Sequence, residues 1–156
     1  MLYNTSLWFH ITGICLMAGV TVVDFILTKK FWTVYAKNPQ QGILVKQMTN
    51  RLPLLIIAGI VLILLSGVGI MAATNGVFDT MLWFRIKMVL VLFVILNSVI
   101  NGRRLGGQLN RLLASGISQS PNEQPLSRLR KGLNVFYISQ LILFFIIFFL
   151  STFKFN

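Results

Sequence analysis

The side chains of this chain that could do chemistry in an apolar setting are few, and two of them lie in its first long apolar run. His10 is the only histidine of the 156 residues, and Asp24 lies further along the same run. At about 100° per residue, an α-helix places His10, Gly13, Met17, Thr21 and Asp24 on one stripe. A titratable side chain inside an apolar span is costly and usually faces the protein interior or a functional site. The sequence therefore predicts a first helix with a polar seam.

Four apolar runs must position these side chains. The chain is 56% hydrophobic and 11% charged, with a mean hydropathy of +0.79, and this composition excludes an ordinary soluble domain. A spanning helix needs about 20 apolar residues, whereas a lipid-facing strand would show a period of two over about ten residues. The runs are continuous and indicate spanning helices at about 6–28, 52–74, 82–101 and 133–152. The predicted fold is all-α: one integral membrane four-helix bundle over residues 1–156.

The net charge of +11 is distributed in a way that predicts topology rather than nucleic-acid binding. Basic residues cluster in the two segments that follow the first and third helices, whereas residues before His10 and residues 75–81 include none. Because positively charged loops stay cytoplasmic, we expect both termini outside, in the periplasm of a bacterial inner membrane. Membrane lipid is then the natural partner of the charged segments, with an added attraction to anionic lipid.

The remaining segments have simpler interpretations. Residues 31–50 read as an amphipathic connector along the headgroups, broken at Asn38-Pro39. Residues 102–113 read as a continuation of the third helix, and Asn75-Gly76 as the outer turn. The fourth run, rich in Phe, Ile and Leu, reads mostly as a lipid-facing support. Asp24 is most simply paired with a cation near the inner face: Lys29, Lys30 or Arg51.

Lys87 is a second charged residue inside a predicted span, at a depth close to that of His10. One interpretation is that the side chains of Arg85 and Lys87 extend to the outer headgroups and that Asp79 forms an ion pair with Arg85. The other is that Lys87 meets an anionic ligand group near His10. The glycines of the second helix also have two interpretations. They favour either close packing of a neighbouring helix or the binding of a flat ligand: Gly59, Gly67 and Gly69.

Several chemistries are excluded by the residue inventory. A Ser-His-Asp triad is excluded because about four helical turns, or roughly 21 Å, separate His10 from Asp24. One histidine and one cysteine, Cys15, cannot build a multi-histidine or cysteine metal cluster. A lone histidine can ligate a haem iron, move a proton or hydrogen-bond a neighbouring helix. These three roles stay open on the residues alone.

The order of features resembles that of the HemJ-type protoporphyrinogen oxidases and the related CopD-like membrane proteins. The matching stretches are Leu7-Trp8-Phe9-His10-Ile11 with Met17-Ala18-Gly19, then Arg51-Leu52, then Trp83-Phe84-Arg85-Ile86-Lys87-Met88. The resemblance implies that His10 is a haem ligand and that Lys87 is functionally important. The family's Pro-Arg pair near the end of the first helix is absent, and Asn97 stands roughly where a second histidine is often found. A sixth iron ligand would then come from Met17, another methionine or a second subunit.

The leading hypothesis is therefore a membrane redox protein that binds haem b or a related tetrapyrrole. His10 would be the axial ligand, with Lys87 and Arg85 near the outer carboxylates and Arg51 at the inner end. Electron transfer or porphyrinogen oxidation would follow, in a homo-oligomer or with a membrane partner. Two alternatives remain: a non-enzymatic subunit of a larger membrane complex, and transport of copper or a small solute through Met17, Met71 and His10.

Overall fold

The computed structural model describes residues 1–78, 81–114 and 124–153, which form helices and no strand. In chain order these are α1 (Leu2–Lys37), α2 (Pro39–Thr49), α3 (Leu52–Ala73), α4 (Leu82–Asn97), a π-helical turn (Ser98–Gly102), α5 (Arg103–Ala114) and α6 (Gln124–Thr152). Four helical stretches are long and apolar enough to cross a membrane: Leu2–Lys37, Pro39–Ala73, Leu82–Ala114 and Pro125–Thr152. The predicted all-α, four-span architecture is confirmed, and α1 and α6 extend beyond the predicted 6–28 and 133–152.

The helices end where the sequence predicts breaks. Asn38 is extended, with φ −147°, and its side-chain oxygen accepts hydrogen bonds from the backbone N–H groups of Gln40 and Gln41 at the start of α2. At the opposite end of the bundle, Asn75 and Gly76 both have positive φ angles, 49° and 70°. Glycine and asparagine tolerate this conformation best, which is why the α3–α4 turn falls there.

Part of the connector after the first span packs against the rest of the protein. Gly42 of α2 lies against α1 so closely that a Cβ there would lie 2.7 Å from Cβ of Tyr35. Phe31 and Trp32 are 2% and 8% exposed. Residues of α5 and α6 cover these two aromatics, so they contact protein rather than lipid, and the position of the segment along the headgroups stays a prediction. These aromatics and residues of α5 and α6 form a hydrophobic cluster at the end of the bundle that carries the basic residues. Its buried members are Phe31, Trp32, Leu109, Leu129, Leu133 and Tyr137.

Helix α6 is more central than its composition suggests. It packs against both α4 and α1, while α1 also packs along α3. Tyr137 and Gln140 of α6 are buried, at 6% and 1% exposure. The prediction of a mostly lipid-facing support is therefore wrong for this face of α6, although Val135 and Phe145 on other faces are exposed. The middle of the bundle holds the central cluster, formed by Met17, Val94 and Phe144 with partly buried residues of α3.

The third span continues past its apolar part, as predicted. The π-helical turn at Ser98–Gly102 joins α4 to α5, and α5 ends at Ala114. Gly102 lies in this turn where a Cβ would lie 3.2 Å from Cζ of Phe136 on α6. The absence of a side chain at this position lets the turn lie close to α6.

Candidate functional site

The candidate site is built on a close contact between α1 and α3. A Cβ added to Gly13 would lie 3.0 Å from the carbonyl oxygen of Gly59, and one added to Gly59 would lie 3.0 Å from the backbone nitrogen of Met17. A Cβ on Gly69 would lie 2.5 Å from the hydroxyl oxygen of Ser6. Small residues in these positions let two membrane helices approach backbone to backbone. This approach sets the register that brings one turn of α3 against His10.

His10 is held by that turn through one ring nitrogen. Its Nδ1 lies 3.2 Å from the carbonyl oxygen of Ile63 and 3.0 Å from the hydroxyl oxygen of Ser66. The Ser66 hydroxyl donates its own hydrogen within α3, to the carbonyl of Leu62. Both neighbours therefore offer lone pairs to Nδ1, and Nδ1 must carry the hydrogen of the neutral ring. We assign His10 as the Nδ1–H tautomer from this network.

The second ring nitrogen, Nε2, consequently bears a lone pair. Within the described parts of the chain no hydrogen-bond partner lies at Nε2. His10 is half-buried, and a Cβ on Gly67 would lie 3.8 Å from Cε1 of the ring, in ordinary contact. The lone pair on Nε2 could accept a hydrogen bond, take up a proton or bind a metal ion.

Of the other predicted site residues, Lys87 is the one that acts electrostatically on this ring. The half-buried Lys87 on α4 acts electrostatically on His10, although the two lie on different helices. Arg85, two residues earlier, is exposed. Asp79, the predicted partner of Arg85, lies outside the described residues. One cation of the third span therefore influences the imidazole, and the similar depth of the two residues stays a prediction.

Met17 and Arg51 lie elsewhere. Met17 is 9% exposed in the central cluster, with its backbone against Gly59. It lies about two helical turns, or roughly 10 Å, from His10 along α1, too far for both to ligate one iron atom. Arg51 is exposed at the start of α3, about 22 Å along the helix from Ser66. Met17 and Arg51 therefore lie apart from the His10 ring, whereas Lys87 influences it electrostatically.

Asp24 has a different kind of partner from the cations expected for it. The Tyr137 hydroxyl on α6 donates a 2.7 Å hydrogen bond to Oδ2 of Asp24, and the Thr28 hydroxyl lies 3.3 Å from the Tyr137 oxygen. The nearest electrostatic influence of a cation is that of Lys46 on α2. The expectation of Lys29, Lys30 or Arg51 is therefore wrong. Tyr137 lies at a depth in the fourth run that matches the depth of Asp24 in the first. This matching depth is the feature of the sequence that could have predicted their hydrogen bond.

A third polar contact links α4 to α6. The Asn97 amide donates a 2.8 Å hydrogen bond to Oε1 of Gln140, and the Gln140 amide lies 3.3 Å from the carbonyl oxygen of Val94. Asn101 donates to Oδ1 of Asn97 at 2.8 Å. The position that corresponds roughly to a second histidine in the resembled family is thus engaged in helix packing.

The described residues include no group of three or more His, Cys, Asp or Glu side chains that could hold a metal ion. Among the predicted metal-binding residues, His10 is the one side chain whose environment leaves a ring nitrogen for a ligand. Comparisons with protein-family models, with curated proteins and with solved structures find no match. The described residues form four helical stretches that are long and apolar enough to cross a membrane, with one histidine hydrogen-bonded from α1 to α3.

Proposed function

We propose that this chain is a membrane redox protein that binds haem b, or a related tetrapyrrole, through Nε2 of His10. The observation that carries the proposal is the hydrogen bonding of Nδ1 to Ile63 and Ser66. It fixes the ring orientation and the tautomer, and it raises the basicity of the free nitrogen. Bound haem would supply one-electron redox chemistry.

The residues around His10 fit such a group in three respects. The carbonyl of Ile63 and the hydroxyl of Ser66 orient the imidazole. The positive charge of Lys87 near the ring suits a propionate carboxylate. Gly67 leaves the space beside the ring without a side chain. Because Met17 is packed in the central cluster, a sixth ligand would come from another methionine, from a second copy or from outside.

The proposed orientation places the site in the outer half of the membrane. The basic residues at the end of α1, in α2, just before α3, in α5 and near the start of α6 would face the cytoplasm of a bacterial cell. The N-terminus and the α3–α4 turn would then face outward. His10 and Lys87, near the starts of α1 and α4, would both lie close to the outer surface.

The test is the visible absorption of the detergent-solubilised protein, oxidised and then reduced with dithionite, before and after incubation with hemin. We expect a Soret band that sharpens on reduction with resolved α and β bands. A protein that stays colourless, takes up no hemin and yields no tetrapyrrole on extraction would contradict the proposal. Co-purified stoichiometric partners without a chromophore would then favour the subunit hypothesis. Porphyrinogen oxidation, the activity of the resembled family, becomes the assay once haem is found.

A further inference from the structure

A cavity lies at the other end of the bundle, between the C-terminal half of α1 and the start of α6. Its volume is about 540 Å³, which is within the range of roughly 300–1,000 Å³ typical of small-molecule sites. It is independent of His10, because its residues come from the end of the bundle that carries the basic segments.

The cavity combines a cationic rim with an aromatic wall. Lys29, Arg130 and Lys131 contribute three positive charges to its lining. The ammonium group of Lys29 lies 4.4 Å from the centre of the Phe25 ring, so a cation–π contact holds it at the rim. The walls include the buried side chains of Trp32, Leu133 and Tyr137. The charged rim and the apolar wall are together complementary to an amphiphile with an anionic headgroup.

Two further observations concern the polar groups at this cavity. Trp32 is 8% exposed, and its indole N–H is the one buried side-chain donor without a partner in residues 1–78, 81–114 and 124–153. Leaving a buried donor unsatisfied is unfavourable, so the residue that forms part of this wall carries an unmet hydrogen-bonding group. The one acidic residue of the described ranges, Asp24, is turned to the Tyr137 hydroxyl behind the wall.

We infer that this cavity binds the phosphate group of an anionic amphiphile, with Lys29, Arg130 and Lys131 as its ligands. The headgroup of an anionic phospholipid supplies this chemistry where a spanning helix leaves the membrane, and a soluble phosphate ester supplies the same anion. Paired lysine and arginine side chains bind phosphate by charge-assisted hydrogen bonds, and arginine can do so through two parallel bonds.

The test compares two variants that each remove three positive charges. The cavity variant is Lys29→Gln/Arg130→Gln/Lys131→Gln, and the control is Lys30→Gln/Arg103→Gln/Arg104→Gln, which changes exposed basic residues outside the cavity. Native mass spectrometry in detergent measures binding of phosphatidylglycerol and phosphatidylcholine. We expect the cavity variant to bind phosphatidylglycerol about fivefold more weakly per charge removed, with the control close to wild type.

The outcomes separate a built site from general attraction. An equal loss in both variants, or no preference of the wild type for phosphatidylglycerol over phosphatidylcholine, would overturn the inference. If the cavity variant fails to fold, Asn134→Trp fills the same cavity without a change in charge and must also weaken lipid binding. Inorganic phosphate is the competing probe: displacement of the lipid by phosphate assigns the site to a soluble phosphate compound, and no displacement assigns it to lipid.

Discussion

His10 and Asp24 lie on one stripe of α1, yet their surroundings differ. His10 lies against α3, where the helices touch through glycines and where its Nδ1 is bonded to Ile63 and Ser66. Asp24 lies against α6, where side chains rather than backbones meet and where the Tyr137 hydroxyl bonds its carboxylate. The first arrangement leaves a ring nitrogen available to a ligand, whereas the second joins two helices. A polar residue in a span is thus a binding candidate only when some of its bonding capacity remains unused.

The comparison predicts that the α1–α3 contact is the more sensitive to added volume. In Gly13→Leu the new Cβ would lie 3.0 Å from the Gly59 carbonyl and from two side chains of α3. We expect a loss of about 3 kcal/mol in the free energy of unfolding, the upper end of typical overpacking costs. Thermal unfolding in detergent, followed by circular dichroism, measures it. Gly19→Leu is the matched control, since a Cβ at Gly19 meets nothing within 4 Å; equal effects of the two changes would contradict the close contact.

The α1–α6 contact should respond instead to loss of a hydroxyl. Tyr137→Phe removes the donor to Asp24 and leaves the buried carboxylate without it. We expect a loss of about 2 kcal/mol in stability, as for other hydrogen bonds to charged groups. Tyr35→Phe is the control, because the Tyr35 hydroxyl has no hydrogen-bond partner within the described residues. Haem content should not change in Tyr137→Phe, and its loss there would remove the distinction drawn between the two sites.

The α4–α6 contact extends the comparison to a neutral pair. Asn97→Ala leaves Oε1 of the buried Gln140 without its 2.8 Å donor. The expected loss in the free energy of unfolding is about 1 kcal/mol, near the average for a neutral hydrogen bond. Asn101→Ala, which removes an exposed hydrogen bond to Asn97, should cost less. Chemical denaturation of the two variants side by side tests the order, and a larger loss in Asn101→Ala would reverse it.

The smallest effect on stability is expected at Ser66. Ser66→Ala removes one acceptor of the His10 ring, but the carbonyl of Ile63 stays at 3.2 Å and keeps the tautomer. We expect a stability change within about 0.5 kcal/mol and a fall in hemin affinity of less than about tenfold, the low end for a lost outer-shell hydrogen bond. Ser151→Ala is the control, since that hydroxyl bonds only the Ile147 carbonyl in its own helix. Hemin titration would contradict the account if both variants bound alike.

Hydropathy was sufficient to predict the spans because length and apolarity alone decide whether a helix can cross a bilayer. It could not predict what covers each apolar face. Phe31 and Trp32 are equally apolar whether lipid or α5 and α6 surround them. The many Phe residues of α6 likewise gave no indication that the face with Tyr137 and Gln140 is buried. The stripe of α1 was predictable from helical periodicity. The Ser66 partner of His10 was not, because it depends on the register that Gly13 and Gly59 set between two helices.

The central claim is that Nε2 of His10 ligates the iron of a bound haem, and one spectrum tests it most directly. Wild type and His10→Ala are purified, incubated with hemin and compared by visible absorption after reduction, with and without added imidazole. The account predicts that the alanine variant loses the resolved α and β bands and that imidazole restores them by replacing the missing ligand. A His10→Ala protein whose haem content and reduced spectrum match those of the wild type would contradict it.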